Sequence, residues 1–544
     1  MTDALDPAEP PPGSSAAPGR GALVRSSALV GVGTALSRLT GVLRVVALLY
    51  ALGQTRLSDV YTVANTMPNL VYELLLGGVL SATLVPIFAE RVDDEDGGTS
   101  AVVSVAGVVL VAVTAAGIVT APAVIDFFAR QVQDPSAGEV AAYRDVGTAL
   151  LRFFMPQVFF YGLITIVTAL LHARRSFAAP AYAPILNNLV VTAMFLTLPA
   201  IVGVDTAASD ALVSAVGNDT LVLLLGVGTT IGVVVMALAM VPALVRQRVP
   251  LRFDPNWRHP AVKAVVRLSG WTIGYVVANQ VALVVVYALA GRGDGGDVTA
   301  YNVAFTFFQL PHGLFAVSIM TTFLPELAEA ARRGEEGQFR QRFLLGLRMM
   351  LLVVLPASAG YMALSQPIVG ILPLAGASVE VTASILVAFA AGLAGFSAYL
   401  YALRGFYARQ DTRTPFLINL GENAANIALA IPFVAWWGIN GLAAAYSVAY
   451  LLAAIGALAV LSRRVGGGGD DAAPAGALAR MALAAAACGL AAWFTAEAVG
   501  PNNWVQVVSG ALAGGGAYLV VLLALRVEEV DTLRRLVKGR LARR

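Results

Sequence analysis

Fourteen apolar stretches, each long enough to cross a bilayer, constrain this chain more than any motif in it. They fall near 27–52, 60–88, 101–128, 146–171, 183–203, 220–245, 264–290, 298–326, 343–372, 379–407, 414–437, 439–462, 476–498 and 504–526. A spanning helix needs about 20 residues, and a helix satisfies its own backbone hydrogen bonds where no water can. The chain therefore reads as an all-α polytopic membrane protein with about 14 transmembrane helices. Its composition, 58% hydrophobic and 13% charged, excludes an ordinary soluble domain.

The basic residues set an orientation. Of the 36 Arg and Lys, those at 56, 130, 144, 152 and 292 fall on one side, and all others outside the spans fall on the opposite side. The positive-inside rule makes the crowded side cytoplasmic, so both termini are expected inside a cytoplasmic (inner) membrane. The expected layout is a disordered cytoplasmic tail over 1–24, an N-terminal lobe over 25–246 and an amphipathic cytoplasmic linker over 247–263. A C-terminal lobe over 264–465, a Gly-rich loop over 466–475, two last helices over 476–526 and a basic cytoplasmic tail over 527–544 follow. Segments 247–263 and 334–348 mix Arg with large apolar residues. They are expected to lie on the membrane surface or to be plain positive-inside loops.

Little points to catalysis. The net charge of +3 makes no case for nucleic acid. The lone Cys488 forms no intramolecular disulfide, and His172, His259 and His312 lack metal-ligand spacing. There is no nucleophile motif, triad or P-loop. The chain is read as a transporter without covalent chemistry, cofactor or metal.

Two arginines, Arg38 and Arg44, lie inside the first span. Each costs about 2.5–3.5 kcal/mol at bilayer depth on insertion scales, so both are expected to face a wet cavity. On a helix they point about 120° apart, on the edges of one face, and guanidinium forks match phosphate well. The second span carries Asn65, Asn69, Tyr72 and Glu73 on one face. The seventh carries Arg267, Trp271, Tyr275 and Asn279 at four-residue steps, and the eighth carries Asn302, Thr306, Gln309 and Gly313. These stripes either line a central cavity or act as hydrogen-bond glue between helices. Glu73 is expected to pair with one of the arginines when the cavity is empty. The eleventh span gathers Asn419, Glu422, Asn423 and Asn426, an all-oxygen set suited to Na+ or H+ as coupling ion, or else a packing network.

The chain also repeats itself at a spacing near 235–240. Tyr61-Thr-Val-Ala-Asn-Thr resembles Tyr301-Asn-Val-Ala-Phe-Thr, and Pro86-Ile-Phe-Ala-Glu resembles Pro325-Glu-Leu-Ala-Glu. Ala173-Arg174 with Pro180 and Asn188 recurs as Ala408-Arg409 with Pro415 and Asn423. Six spans per unit give two lobes of the same topology, a parallel repeat about an axis along the membrane normal, plus two C-terminal helices.

Ser37-Arg38-x-x-Gly41-x-x-Arg44, then Asp59, Pro68-Asn69-Leu70, Gly78 and Val85-Pro86, resembles the start of the MurJ/MviN family, lipid II flippases of the multidrug/oligosaccharidyl-lipid/polysaccharide (MOP) exporter superfamily. Gln157, Tyr161-Gly162 and Pro180-x-x-x-Pro184-x-x-x-Asn188 resemble its actinobacterial branch, here expected to lack the long C-terminal cytoplasmic region often found there. The resemblance implies fourteen helices in two lobes around a diphosphate-binding cavity, with Arg38 and Arg44 as anion-binding residues and Asp59 as the loop aspartate. It also implies transfer of undecaprenyl-diphosphate-linked peptidoglycan precursor from inner to outer leaflet by alternating access. Expected partners are that lipid, membrane lipids, and proteins of cell-wall synthesis or division. The chain departs from the family where arginines are usual, at Tyr72, Glu73 and Thr306, and Val45 stands where an acid is usual. The alternatives are a cation-coupled drug exporter of the same fold, a flippase for another polyprenyl-linked glycan, and a non-transporting cell-wall scaffold.

Overall fold

The computed structural model describes residues 20–76, 84–90, 97–133, 135–136, 138–249, 251–268, 270–466 and 472–527. Among these there are helices and no strands. The N-terminal lobe contains α1 (Arg20–Leu52), α2 (Arg56–Leu76), α3 (Val85–Glu90), α4 (Gly98–Ala129), α5 (Glu139–Phe154) and α6 (Pro156–Ala173). It is completed by α7 (Ala178–Val202), α8 (Ala211–Ser214), α9 (Asp219–Leu238) and α10 (Val241–Arg246). A non-helical strap over 251–259 leads to α11 (Pro260–Leu268).

The C-terminal lobe contains α12 (Gly270–Ala290), α13 (Asp297–Pro311), a π-turn (His312–Ala316), α14 (Val317–Arg332), α15 (Glu336–Gly370), α16 (Ala377–Ala408), α17 (Arg413–Trp437) and α18 (Ile439–Arg464). The last two helices, α19 (Ala472–Ala498) and α20 (Asn503–Ala524), pack on each other and on α15. Among the described residues, thirteen helical stretches are long and apolar enough to cross a membrane. With the more polar α2, of 21 residues, they make the fourteen spans.

The repeat is visible in the packing. In the N-terminal lobe α1 packs on α7, α7 on α9, α4 on α5 and α6, and α2 on α5 and α6. In the C-terminal lobe α12 packs on α17, α17 on α18, α15 on α16, and α13 on α16. The same helices meet in each lobe. It is visible in the backbone too. Arg175 after α6 and Gln410 after α16 both take left-handed φ, 56° and 61°. Ser176 N–H then donates to Leu171 O (2.8 Å) and Asp411 N–H to Phe406 O (3.0 Å), the six-to-one bond of a Schellman cap. The two caps stand 235 residues apart, the offset of the Ala173-Arg174 and Ala408-Arg409 match.

Small residues bring α16 and α18 close. A Cβ at Gly392 would stand 2.5 Å from Ser447 Cα, so only glycine allows this approach. Elsewhere an interrupted helix is repaired across the lobe. Pro311 has no N–H to give the carbonyl four residues back, Phe307 O. The Tyr361 hydroxyl on α15 donates to it instead, at 2.9 Å.

Several local expectations differ from what is observed. Helix already runs from Arg20, inside the expected tail. The segment 334–348 does not lie on the membrane surface: it is the start of α15, and Phe339 and Phe343 are buried in the core. Within the seventh span α11 ends at Leu268 and α12 begins at Gly270, with Ser269 outside the described residues. Residues 1–19, 77–83, 467–471 and 528–544, which carry the rest of the expected tails, the Gly-rich loop and part of the second span, lie outside the described residues.

Candidate functional site

Between the lobes lies a cavity of about 540 Å³. Its N-terminal wall comes from α1, α2 and α7, and its C-terminal wall from α13. Six sequence-selected residues line it: Arg38, Arg44, Asn65, Asn302, Thr306 and Gln309. Neither arginine has an ion pair among the described residues, and Arg38 is exposed to the cavity. Its guanidinium reaches the other lobe. A Cβ on Gly313, in the π-turn, would stand 3.4 Å from Arg38 Nε and 3.6 Å from Nη2. The glycine leaves room for that guanidinium to lie flat against the backbone.

Neighbouring side chains hold the walls in place. Asn188 Nδ2 donates to Ser37 O (3.1 Å) and Thr40 Oγ1 (3.0 Å), tying α7 to α1 in the turn that carries Arg38. Asn302 Nδ2 donates to the Tyr287 hydroxyl (2.9 Å), and the Thr306 hydroxyl donates to Asn302 O (2.9 Å). Tyr61, Thr62, Thr66, Pro180, Pro184 and Asn188 also line the cavity and were not among the expected site residues. The repeat had flagged Asn188 and Pro180, and the Tyr61 motif carried the threonines. Neutral residues within an apolar helix give little other signal.

Other expected site residues stand elsewhere. Asn69 and Tyr72 face α6: the Tyr72 and Tyr161 rings lie 5.6 Å apart, and the Asn69 amide lies beside the Tyr161 hydroxyl. Glu73 is half-buried and, among the described residues, makes no ion pair, so the expected pairing with a cavity arginine is absent. Asn279 is not in the cavity. Its Oδ1 accepts from Asn419 Nδ2 (3.1 Å) and Asn423 Nδ2 (3.0 Å) inside the C-terminal lobe.

Asp59 does not line the cavity either. It is buried in a latch that closes one end of it. Its Oδ2 accepts from Gly296 N–H (2.8 Å), and its Oδ1 from Thr299 N–H (2.9 Å) and the Thr299 hydroxyl (3.0 Å), all at the start of α13. Beside it, Arg56 donates to Gly293 O (3.1 Å) and Gly291 O (3.5 Å), just past the end of α12, and pairs with Glu139 at 2.8 Å. Each charge meets the helix end of opposite dipole sign. Gly296, at φ 100°, is required here, because a Cβ would stand 2.5 Å from Gln54 O.

A second polar cluster lies within the C-terminal lobe. Asn419, Glu422, Asn423 and Asn426 are all buried. Asn419 Oδ1, both Glu422 carboxylate oxygens and Asn426 Oδ1 receive no hydrogen bond. A buried oxygen without a donor costs about 1–3 kcal/mol, more if charged. Asn419, Glu422 and Asn426 thus leave four buried oxygens without a donor, a demand that a hard cation or a proton would meet.

Two lobes of equal topology, a polar cavity between them and a latch across one end define a two-lobed membrane transporter. Comparisons narrow this. The profile described as lipid II flippase MurJ matches residues 48–511. The chain is 25% identical over 442 residues to a probable lipid II flippase MurJ of Vibrio cholerae, covering 79% of this chain and 81% of that one. It is 29% identical over 456 residues to the Rhizobium tropici counterpart, covering 81% of each. A solved lipid II flippase MurJ in an inward closed conformation superposes with TM-score 0.74 at 20% identity, over 92% of this chain and 99% of that one. An inward-facing multidrug resistance MATE family transporter of the MOP superfamily shares the fold at TM-score 0.62 and 13% identity, over 79% and 98%. The chain belongs to the lipid II flippase MurJ family.

Proposed function

We propose that this protein moves a polyprenyl-diphosphate-linked peptidoglycan precursor, lipid II, from the inner to the outer leaflet by alternating access. The observation that carries the reading is the pair Arg38 and Arg44, without carboxylate partners among the described residues, facing a cavity between two lobes. Charge-assisted, bidentate bonds are what a diphosphate would receive there. Asn65, Asn302, Thr306 and Gln309 supply neutral donors and acceptors around it, and the lipid tail stays in the bilayer. With the arginine-poor ends outside, the Asp59 latch would close the outer end of the cavity.

The Glu422 cluster is the candidate site for the coupling cation, Na+ or H+. It lies in the lobe interior, so it would act by favouring one lobe arrangement rather than by touching the diphosphate. The test of the transport reading is depletion of the protein in a strain lacking other flippases, with lipid II measured leaflet by leaflet. Build-up in the inner leaflet is expected, and an unchanged distribution would refute it.

A further inference from the structure

The strap that joins the lobes is fixed to α4 by its backbone. Arg252 N–H donates to Ser100 Oγ (3.0 Å), Asp254 N–H donates to Ser104 Oγ (2.9 Å), and the Ser104 hydroxyl donates to Arg252 O (3.3 Å). Two serines at four-residue spacing on one helix face thus hold an extended segment that has no secondary structure of its own. Between the strap and the lobe lies a groove of about 510 Å³. Its walls are Val103, Val108 and Val111 of α4, Phe159 of α6, and Leu251 and Phe253 of the strap. Its floor is open at Gly107, where a Cβ would meet nothing within 4 Å. Arg252 stands at its rim.

The surroundings show what would fill it. The stretch containing α4 is the most apolar of the membrane-crossing stretches, with mean hydropathy 2.6, and only 22% of that window is covered by protein. The groove therefore opens to lipid, not to water. From Val103 to Val111 the helix rises about 12 Å, enough to bed the upper part of an acyl chain. Among the described residues Arg252 is the one charged residue lining the groove, and within the connecting segment 246–263 the bases Arg246, Arg248, Arg252, Arg258 and Lys263 outnumber the single acid Asp254. Phe253 (78% exposed) and Trp257 (55%) project from the same segment, the pairing of aromatic and basic residues that settles at an anionic membrane surface.

We infer that this groove is a binding site for an anionic glycerophospholipid, its acyl chain on Val103, Val108 and Val111 and its phosphate on Arg252. The lipid completes the anchor of the strap at the point where the N-terminal lobe hands over to α11 and α12. The site is distinct from the central cavity and does not depend on which substrate the cavity carries.

Native mass spectrometry of the purified full-length protein, titrated with phosphatidylglycerol or phosphatidylcholine, tests this. The wild type is expected to retain one phosphatidylglycerol about tenfold more tightly than phosphatidylcholine, the scale of one charge-assisted contact. Gly107→Leu, which fills the groove, and Arg252→Gln, on the exposed strap, should each lose most of that retention. Arg292→Gln, at the opposite end, should keep it. Equal retention of the two lipids, unchanged retention in Gly107→Leu and Arg252→Gln, or an equal loss in Arg292→Gln would overturn the site. So would displacement of the lipid by glycerol 3-phosphate at comparable concentration, since the acyl chain would then contribute nothing.

Discussion

Polar residues in an apolar chain can be found by reading it, but which neighbour each one meets cannot. Arg38 and Arg44 stand out because lipid tolerates charge so poorly, and the structure places both on the cavity wall. Asp59 and Asn279 are just as conspicuous in the sequence, yet one latches the lobes and the other serves the interior cluster. Helix periodicity gives the face of a residue and not the partner of that face. For Glu422 the surroundings decide the expectation: two carboxylate oxygens without donors, among amide oxygens also without donors. If a coupling cation or proton resides there, Glu422→Gln should alter the ion dependence of transport while the protein still reaches the membrane. Transport with the wild-type ion dependence would reduce the cluster to packing.

At the scale of helices, the spans were legible because bilayer thickness fixes their length, and the repeat was legible from three short matches. Interruptions were not. The π-turn at His312–Ala316 follows from tertiary contacts that no local pattern reports. Pro311 is the partial exception, since it announces a lost hydrogen bond, but only the structure shows that Tyr361 replaces it. Removing that hydroxyl leaves Phe307 O bare inside the lobe. Tyr361→Phe is therefore expected to lower stability by about 1–2 kcal/mol, read as an earlier thermal unfolding transition in detergent. An unshifted transition would show that the carbonyl finds another donor.

The whole molecule is two similar bodies joined by a strap and held together at one end by Asp59, Arg56 and the Thr62–Thr299 contact, whose hydroxyl oxygens are 3.5 Å apart. Transport requires that this end open. Cysteines at Thr62 and Thr299, with Cys488 the only other cysteine, are expected to crosslink under oxidation, stop turnover and release it on reduction. Full activity of the crosslinked protein would mean that the latch need not open.

The claim on which the rest depends is that Arg38 and Arg44 bind a diphosphate from the cavity wall. The direct measurement is binding of a polyprenyl diphosphate to purified protein bearing Arg38→Ala, Arg44→Ala and the matching Lys substitutions. Each alanine should weaken binding by about tenfold or more, the scale of a lost charge-assisted pair, and each lysine should restore part of it by returning charge without the fork. Wild-type affinity in both alanine variants would contradict the claim.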